Sequence, residues 1–314
     1  MEIAVLIPCY NEELTVEKVV RDFKQSLPQS TIYVYDNNST DRTYELAKKA
    51  GAIVRKEHRQ GKGNVVRSMF RDIEADVYIL VDGDDTYPAE EAQKMIEYVT
   101  SKEADMVIGD RLSNGTYSEE NKRNFHDFGN KLILNLINWL YKSNLNDILT
   151  GYRVFNRYFV KNFPILSEGF QIETEMSVFA LNYKFKIKQV PITYRDRPEG
   201  SFSKLNTFKD GFRVIRILSS LFKDTKPMLF FGMVSLISFG FTLLVGLPVI
   251  VEFLETRYIT HVPLAILASG LGILSVLFLL VALILDTMAY NHRLDFEHRL
   301  NHFLHQENLF NKES

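Results

Sequence analysis

With 314 residues and a formal net charge of -2, the chain is long enough for one large domain plus an additional element and has no charge bias toward nucleic acid. Its single cysteine, Cys9, excludes an internal disulfide framework and fits a reducing compartment. Apolar residues are unevenly spread: the first two thirds read like a soluble protein, whereas long stretches after Pro227 carry no charge.

In chain order, short β-rich runs alternate with helical patterns. Residues 3–7 predict a buried strand, 15–27 a helix, 31–35 a strand, 41–50 a helix, 52–55 a short strand and 63–73 a helix. Residues 77–81 then predict a strand, 89–100 a helix and 105–108 a strand. This rhythm predicts an α/β fold with a mainly parallel sheet and helices on both faces. Ligands of such sheets bind beyond the carboxyl ends of the strands. Four polar motifs fall there: PCYNEE, DNNSTDRT, DGDDTYP and GDR. The opening MEIAVLIPCYNEE lacks a basic n-region and meets acid too early for a signal peptide, so this part is expected in the cytoplasm.

Residues 128–141 and 205–222 are amphipathic. In the second, Leu205, Phe208, Phe212, Ile215, Leu218 and Phe222 recur every three or four residues, with Lys209, Arg213 and Arg216 between them. A basic helix lying on an anionic membrane and a helix packed on the domain core share this pattern. Residues 228–251 and 262–285 are charge-free runs of about 24 residues, which as helices reach about 36 Å. That exceeds the roughly 30 Å hydrocarbon core and predicts a two-span hairpin joined by a polar link at 252–261. Lys223, Lys226, Arg293 and Arg299 flank the spans, against Arg257 in the link, which puts both ends in the cytoplasm.

Asp82-Gly83-Asp84 follows the apolar run VYILV and precedes Pro88. A diphosphate leaving group needs its charge neutralised, and Mg²⁺ or Mn²⁺ held by carboxylate oxygens can do this. The glycine allows close approach of the ligand. Taken with GKGNVVR, the strand-end motifs stand in the order and approximate spacing of the family 2 glycosyltransferases. Later matches are GDR at 109–111, NDILTGYRVF at 146–155, GFQIETE at 169–175 and YRDRPEGSFSKL at 194–205. Over residues 3–225 the chain resembles the polyprenyl-phosphate branch, which includes dolichol-phosphate mannose synthases and bactoprenol-phosphate glycosyltransferases.

The resemblance implies a glycosyltransferase A-type domain and a set of roles. Pro8, Tyr10, Glu12 and Asp36 would line the nucleoside pocket, with Gly61, Lys62, Gly63, Asp82 and Gly83 near the nucleotide. Asp82 and Asp84 would hold Mg²⁺ or Mn²⁺. Many relatives have two acids where this chain has Asp36-Asn37, and dolichol-type relatives often have glutamine in place of Thr86. Asp147 matches the acid assigned as catalytic base in bactoprenol enzymes. An acceptor phosphate with a second pKa near ~6 is already largely ionised, so Asp147 has an alternative role in orienting Arg153 or the sugar. Arg111 and Arg123 would hold the lipid phosphate. Arg153, Arg195, Arg197, Ser203 and Lys204 are further candidates, since arginine grips phosphate bidentately. For the exposed arginines the alternative is ion pairing with Asp196 and Glu199. Of Glu173 and Glu175, spaced so that they do not share a helix face, one could meet the sugar while the other is structural.

The expected division is a cytoplasmic catalytic domain at 1–204, an interfacial helix at 205–226, the hairpin at 227–285 and a cytoplasmic tail at 286–314. The expected partners are a nucleotide-sugar donor, a polyprenyl-phosphate acceptor and the bilayer, with no nucleic acid and a homo-oligomer left open. The expected reaction is inverting transfer to the lipid phosphate from UDP-glucose or UDP-N-acetylglucosamine, with GDP-mannose next. A processive polysaccharide synthase would use a QxxRW motif, and the only tryptophan, Trp139, lies in INWLY. A non-catalytic membrane scaffold would tolerate loss of the acids and arginines, which are present.

Overall fold

A computed structural model of the chain describes residues 1–113, 124–169, 171–198, 219–220 and 222–313. They fall into two compact units, Met1–Val214 and Ile215–Ser314.

The strands of the first unit are β1 (Ile3–Cys9), β2 (Thr31–Asp36), β3 (Ile53–Lys56), β4 (Val77–Leu80), β5 (Met106–Asp110), β6 (Arg153–Asn156) and β7 (Ile187–Pro191). They form one sheet in the order β3-β2-β1-β4-β6-β5-β7. All are parallel except β6, which runs antiparallel between β4 and β5. The expected mainly parallel α/β sheet is therefore present, with one reversed strand inside it. β6 is four residues long and sits next to the TGYR motif, where its apolar signal is too short to read. β1 and β4 are buried along nearly their whole length, as strands covered on both faces must be.

The helices that flank this sheet are α1 (Val16–Ser26), α2 (Thr43–Lys49), α3 (Lys62–Asp72), α4 (Ala92–Thr100), α5 (Asn124–Tyr141), α6 (Arg157–Asn162) and α7 (Ile172–Asn182). The helix expected from residue 89 begins instead as a 3-10 turn, Ala89–Glu91, after the extended Pro88. Val16, Val19, Val20 and Phe23 of α1 are buried at helical spacing. They join Val5, Ile7, Val34, Ile79 and Val154 in one aliphatic core. Alternation along the strands sends the next residues to the other face, where Phe70, Tyr78, Phe155, Phe159, Phe163 and Phe179 pack ring against ring. Each fully buried side chain of this size contributes about 1.5–3 kcal/mol of burial energy. On α5, Ile133 and Ile137 are buried while Trp139 is 61% exposed.

The second unit is an antiparallel pair, α8 (Pro227–Thr256) and α9 (Val262–Glu313). The link is shorter than expected, because residues 252–256 remain helical and Arg257 ends α8 in the left-handed conformation. Ser235 and Ser275 each donate to the other's carbonyl oxygen, at 2.8 and 3.0 Å, and Ser238 donates to that of Leu271. Both helices are long and apolar enough to cross a membrane, and only 11% of each apolar window is buried. A core helix of a soluble protein would be mostly buried. These lipid-length, solvent-facing apolar surfaces point to membrane association. At about 1.5 Å per residue α9 is about 78 Å long, so it continues well past any hydrocarbon layer. Of the expected interfacial helix, residues 205–218 and 221 lie outside the described residues.

Candidate active site

The first cluster of strand-end motifs is knitted from loops that follow β1, β2 and β4. After Pro8 and Cys9 the chain turns at Asn11, which is left-handed. The Asn11 N–H donates to Ser39 Oγ at 2.9 Å, and the Glu12 N–H donates to Thr43 Oγ1 at 2.8 Å. PCYNEE and DNNSTDRT are thus one structure, with Tyr10 exposed at its rim and Asp36 buried. Asn37 explains itself geometrically. Its Nδ2 donates to the carbonyls of Glu57 and Arg59 at 2.9 and 2.8 Å, and its Oδ1 accepts from Gly61 N–H at 2.7 Å. An aspartate there could not donate, so the departure from two acids fixes the loop before α3. Thr15 Oγ1 donates to the Gly83 carbonyl at 2.6 Å. A β-carbon on Gly83 would come within 2.6 Å of Cys9 Sγ, which is why that position is glycine.

Lys62, the first residue of α3, is buried with Nζ 2.5 Å from Asp82 Oδ1 and 2.5 Å from Glu173 Oε1. Burial works against its charge, but the two carboxylates hold its pKa above the usual lysine range. Burial also pushes Glu173 up, against the pull of Lys62. We read the cluster as an ammonium shared by two acids. Asp84 is buried as well. Its Oδ1 accepts the Thr86 hydroxyl at 2.6 Å and its Oδ2 lies 2.5 Å from the Arg197 guanidinium. Burial first, and then the charge of Asp82, push the Asp84 pKa up, with Arg197 and Thr86 opposing.

In a second cluster, Arg111 follows β5 and clasps Asp147 with both limbs. Nε donates to Oδ2 at 2.7 Å and Nη2 to Oδ1 at 3.1 Å. Asp147 also accepts the Leu149 N–H at 3.1 Å and is almost fully buried. The Arg111 guanidinium lies 5.6 Å over the Tyr194 ring. The orienting partner of Asp147 is therefore Arg111 and not Arg153. Arg153, expected among the phosphate ligands, does not join this cluster. It is 0% exposed and donates to the carbonyls of Thr150 and Ile148 and to the Ser177 hydroxyl, so it braces the TGYR turn from within. Burial, offset in part by Glu173 and Asp147, lowers its pKa to about 10.

Arg195 is tied to the DGDDT loop through its own N–H, which donates to the Thr86 carbonyl at 2.9 Å, while its side chain lies 3.6 Å from Glu90. Glu175 is structural, its two oxygens accepting the N–H groups of Leu166 and Ser167 at 2.9 Å. Arg123, Ser203 and Lys204 lie outside the described residues. The structure thus brings Asp82, Asp84, Lys62 and Arg197 together, places Arg111 with Asp147, and leaves Arg153 inside the core. The sequence singles out Glu173 and Thr86 but not their partners, Lys62 and Asp84, and it gives no sign of Tyr194 beside Arg111.

Residues 4–163 match the family described as Glycosyl transferase family 2. The glycosyltransferase AglJ of Haloferax volcanii is 34% identical over 295 residues, covering 93% of this chain and 95% of that one. The chain belongs to glycosyltransferase family 2. It is similar to a dolichyl-phosphate hexose transferase of the same organism, at 29% identity over 67% of this chain and 89% of the relative. Relatives with such names agree with the resemblance to the polyprenyl-phosphate branch. The fold is that of Mycobacterium tuberculosis glucosyl-3-phosphoglycerate synthase, solved with Mn²⁺ and uridine diphosphate, with a TM-score of 0.55 at 18% identity over 71% of this chain and 78% of that one. As a member of this family the chain is a glycosyltransferase.

Proposed function

We propose that this glycosyltransferase moves a sugar from a nucleoside-diphosphate donor to a polyprenyl phosphate, with inversion at the anomeric carbon. The observation that carries the reading is the pairing of two opposite sites at one sheet edge. The DGD acids form a cation-seeking site, and Arg111 held by a buried acid forms a phosphate-seeking one. The names of the relatives supply the lipid phosphate as acceptor class. UDP-glucose and UDP-N-acetylglucosamine are the leading donors, and GDP-mannose is next.

Asp82 and Asp84 fit a divalent metal. Both offer hard oxygen donors, and Asp84 is raised by burial beside a second acid, a strain that added positive charge relieves. Among the described residues no cluster of three metal-ligating side chains exists, so a bound Mg²⁺ or Mn²⁺ would draw its other ligands from diphosphate and water. Such a metal neutralises charge on the leaving diphosphate. The chain's own residues do the rest. The β1, β2 and β4 loops seat the nucleoside, and Gly83 lets the β4 loop lie against Cys9 of β1. Arg111, braced by Asp147, turns its guanidinium toward the acceptor phosphate. One phosphate oxygen then attacks the anomeric carbon in line, the bond to the donor diphosphate breaks, and the nucleoside diphosphate departs with the bonding pair. Asp147 serves here as brace and not as base, since a phosphate monoester with a pKa near ~6 brings its own negative oxygen.

The hairpin anchors the domain beside a substrate confined to the bilayer. We infer a multi-pass protein of the cell membrane with the catalytic unit and the tail after residue 285 on the cytoplasmic side, from the flanking Lys223, Lys226, Arg293 and Arg299. The test is transfer of radiolabel from each of the three donors into organic-extractable lipid, using purified protein, polyprenyl phosphate and Mn²⁺ or Mg²⁺. One donor is expected to label the lipid, and Asp84→Ala to cut kcat by about 100- to 1,000-fold. A folded protein that labels no lipid from any donor overturns the reading.

A further inference from the structure

Glu173 lies in GFQIETE, where the sequence leaves it between a sugar contact and a structural role, and it is wired to the Asp82 site through one atom. The Lys62 ammonium lies 2.5 Å from both Asp82 and Glu173. Lys62 and Glu173 are nearly buried, at 8% and 5% side-chain exposure, while Asp82 is 28% exposed. The geometry is built. A β-carbon on Gly61 or Gly63 would collide with the backbone at Glu168 or Ser167, so only glycines let the start of α3 lie on that loop and meet α7. On its other edge the Asp82 carboxylate backs onto Gly151, where a β-carbon would also collide.

We propose that Glu173 is a positioning residue for the donor site, sharing the Lys62 charge so that Asp82 remains a net anion. The proposal rests on the reading of Asp82 and Asp84 as the cation-holding acids. One ammonium against one carboxylate would be a neutral pair with little pull on a metal. With Glu173 added, the three groups carry one net negative charge, and it is expressed at Asp82, the member that reaches solvent. Lys62 acts accordingly as a lever beneath Asp82 and not as a ligand of the nucleotide.

The test is Mn²⁺ binding to the full-length protein in nanodiscs with UDP present, read from the paramagnetic resonance of free Mn²⁺. Glu173→Gln should raise the Mn²⁺ Kd about tenfold, the effect of one adjacent charge on a carboxylate, with the KM for lipid phosphate unchanged. Lys62→Gln combined with Glu173→Gln removes both charges and should return the Kd to within about threefold of the wild type, because a buried pair replaced on both sides is well tolerated. A purely structural lock between α3 and α7 predicts the reverse, with the double variant no better than the single. An unchanged Kd in Glu173→Gln, or a double variant that binds no tighter than the single, overturns the proposal. The double variant decides by itself if the single one does not fold: a Kd near wild type supports the proposal, and a lost Mn²⁺ site refutes it. Asp84→Ala separates the two readings. Wild-type Mn²⁺ binding there removes the donor-site assignment, whereas its loss alongside normal binding in Glu173→Gln removes only the role of Glu173.

Discussion

Two ion pairs at the sheet edge are mounted in opposite senses. At the proposed donor side the cation, Lys62, lies underneath at 8% exposure and the acid, Asp82, is outermost at 28%. At the proposed acceptor side the acid, Asp147, lies underneath at 4% and the cation, Arg111, is outermost at 13%. The buried member fixes the geometry, and the outer member sets the sign of the charge offered to a ligand. The first arrangement suits a metal-bearing diphosphate and the second a phosphate monoester. Buried ion pairs are weak evidence for stability because desolvation offsets their attraction. Their orientation is therefore more informative than their presence.

The contrast is sharpest at Arg111. Arg111→Lys keeps a charge but loses the planar fork that meets Asp147 on one side and a phosphate on the other. Charge-assisted hydrogen bonds of about 1.5–3 kcal/mol imply a loss of about 10- to 100-fold in kcat/KM for the lipid acceptor. UDP affinity should stay at its wild-type value, and an equal loss in donor binding would dissolve the division into two sides. Asp147→Asn comes next, with acceptor KM rising about tenfold because a neutral amide holds Arg111 less firmly. The pH–rate profile tests the role directly. If Asp147 is a brace, the wild type and Asp147→Asn should both show an ascending limb near pH ~6, set by the acceptor phosphate. Disappearance of that limb in Asp147→Asn would make Asp147 the base.

Arg197 tests the donor side with a smaller effect of opposite sign. Its guanidinium sits on Asp84 Oδ2, an oxygen a metal would use, and it is 29% exposed. Removing a partly exposed partner of this kind changes binding by about 2- to 5-fold. Arg197→Ala should therefore tighten Mn²⁺ in the presence of UDP while lowering transfer. Weaker Mn²⁺ binding in that variant would make Arg197 a ligand of the diphosphate and not a competitor for Asp84.

The two sides also differed in how well they could be read from sequence. The proposed donor side is built from contiguous motifs at the ends of β2, β1 and β4, three parallel strands adjacent in the sheet, so PCYNEE, DNNSTDRT and DGDDTYP announce it. Their convergence follows from the strand–helix rhythm alone. The acceptor side draws Arg111, Asp147 and Tyr194 from three distant segments. It depends on β6, a four-residue antiparallel strand with no pattern of its own. Arg153 shows the limit of reading residue type. A full positive charge in a polar motif looked like a phosphate ligand, and only the backbone carbonyls of the turn reveal that it faces inward. Glu173 and Glu175 look equivalent in the string GFQIETE, yet one neutralises Lys62 and the other caps a loop. That distinction is set by which tertiary partner each carboxylate meets, Lys62 at the start of α3 or the Leu166 and Ser167 N–H groups, and residue type does not show it.

The last comparison is between how the two sides respond to acid. Glu57, at the end of the loop pinned by Asn37, accepts the Ser68 hydroxyl and the Arg59 N–H. Burial alone would raise its pKa, but these donors and the Arg59 charge lower it from 4.5 to about 2. A carboxylate with a depressed folded pKa contributes stability that is fully present above 4.5 and lost as pH falls through about 2. Glu57→Gln should therefore lower the thermal midpoint at pH 7 by about 2–4 °C, with the gap to wild type closing between pH 4.5 and 2. Because Glu57 ties the loop before α3 to Ser68 of α3, beside the proposed donor side, the variant should weaken UDP binding and leave the acceptor KM alone. A gap that stays constant across that pH range would mean that Glu57 is held by its shape and not by its charge. An acceptor KM that moves with it would mean that the two sides share a single mechanical frame.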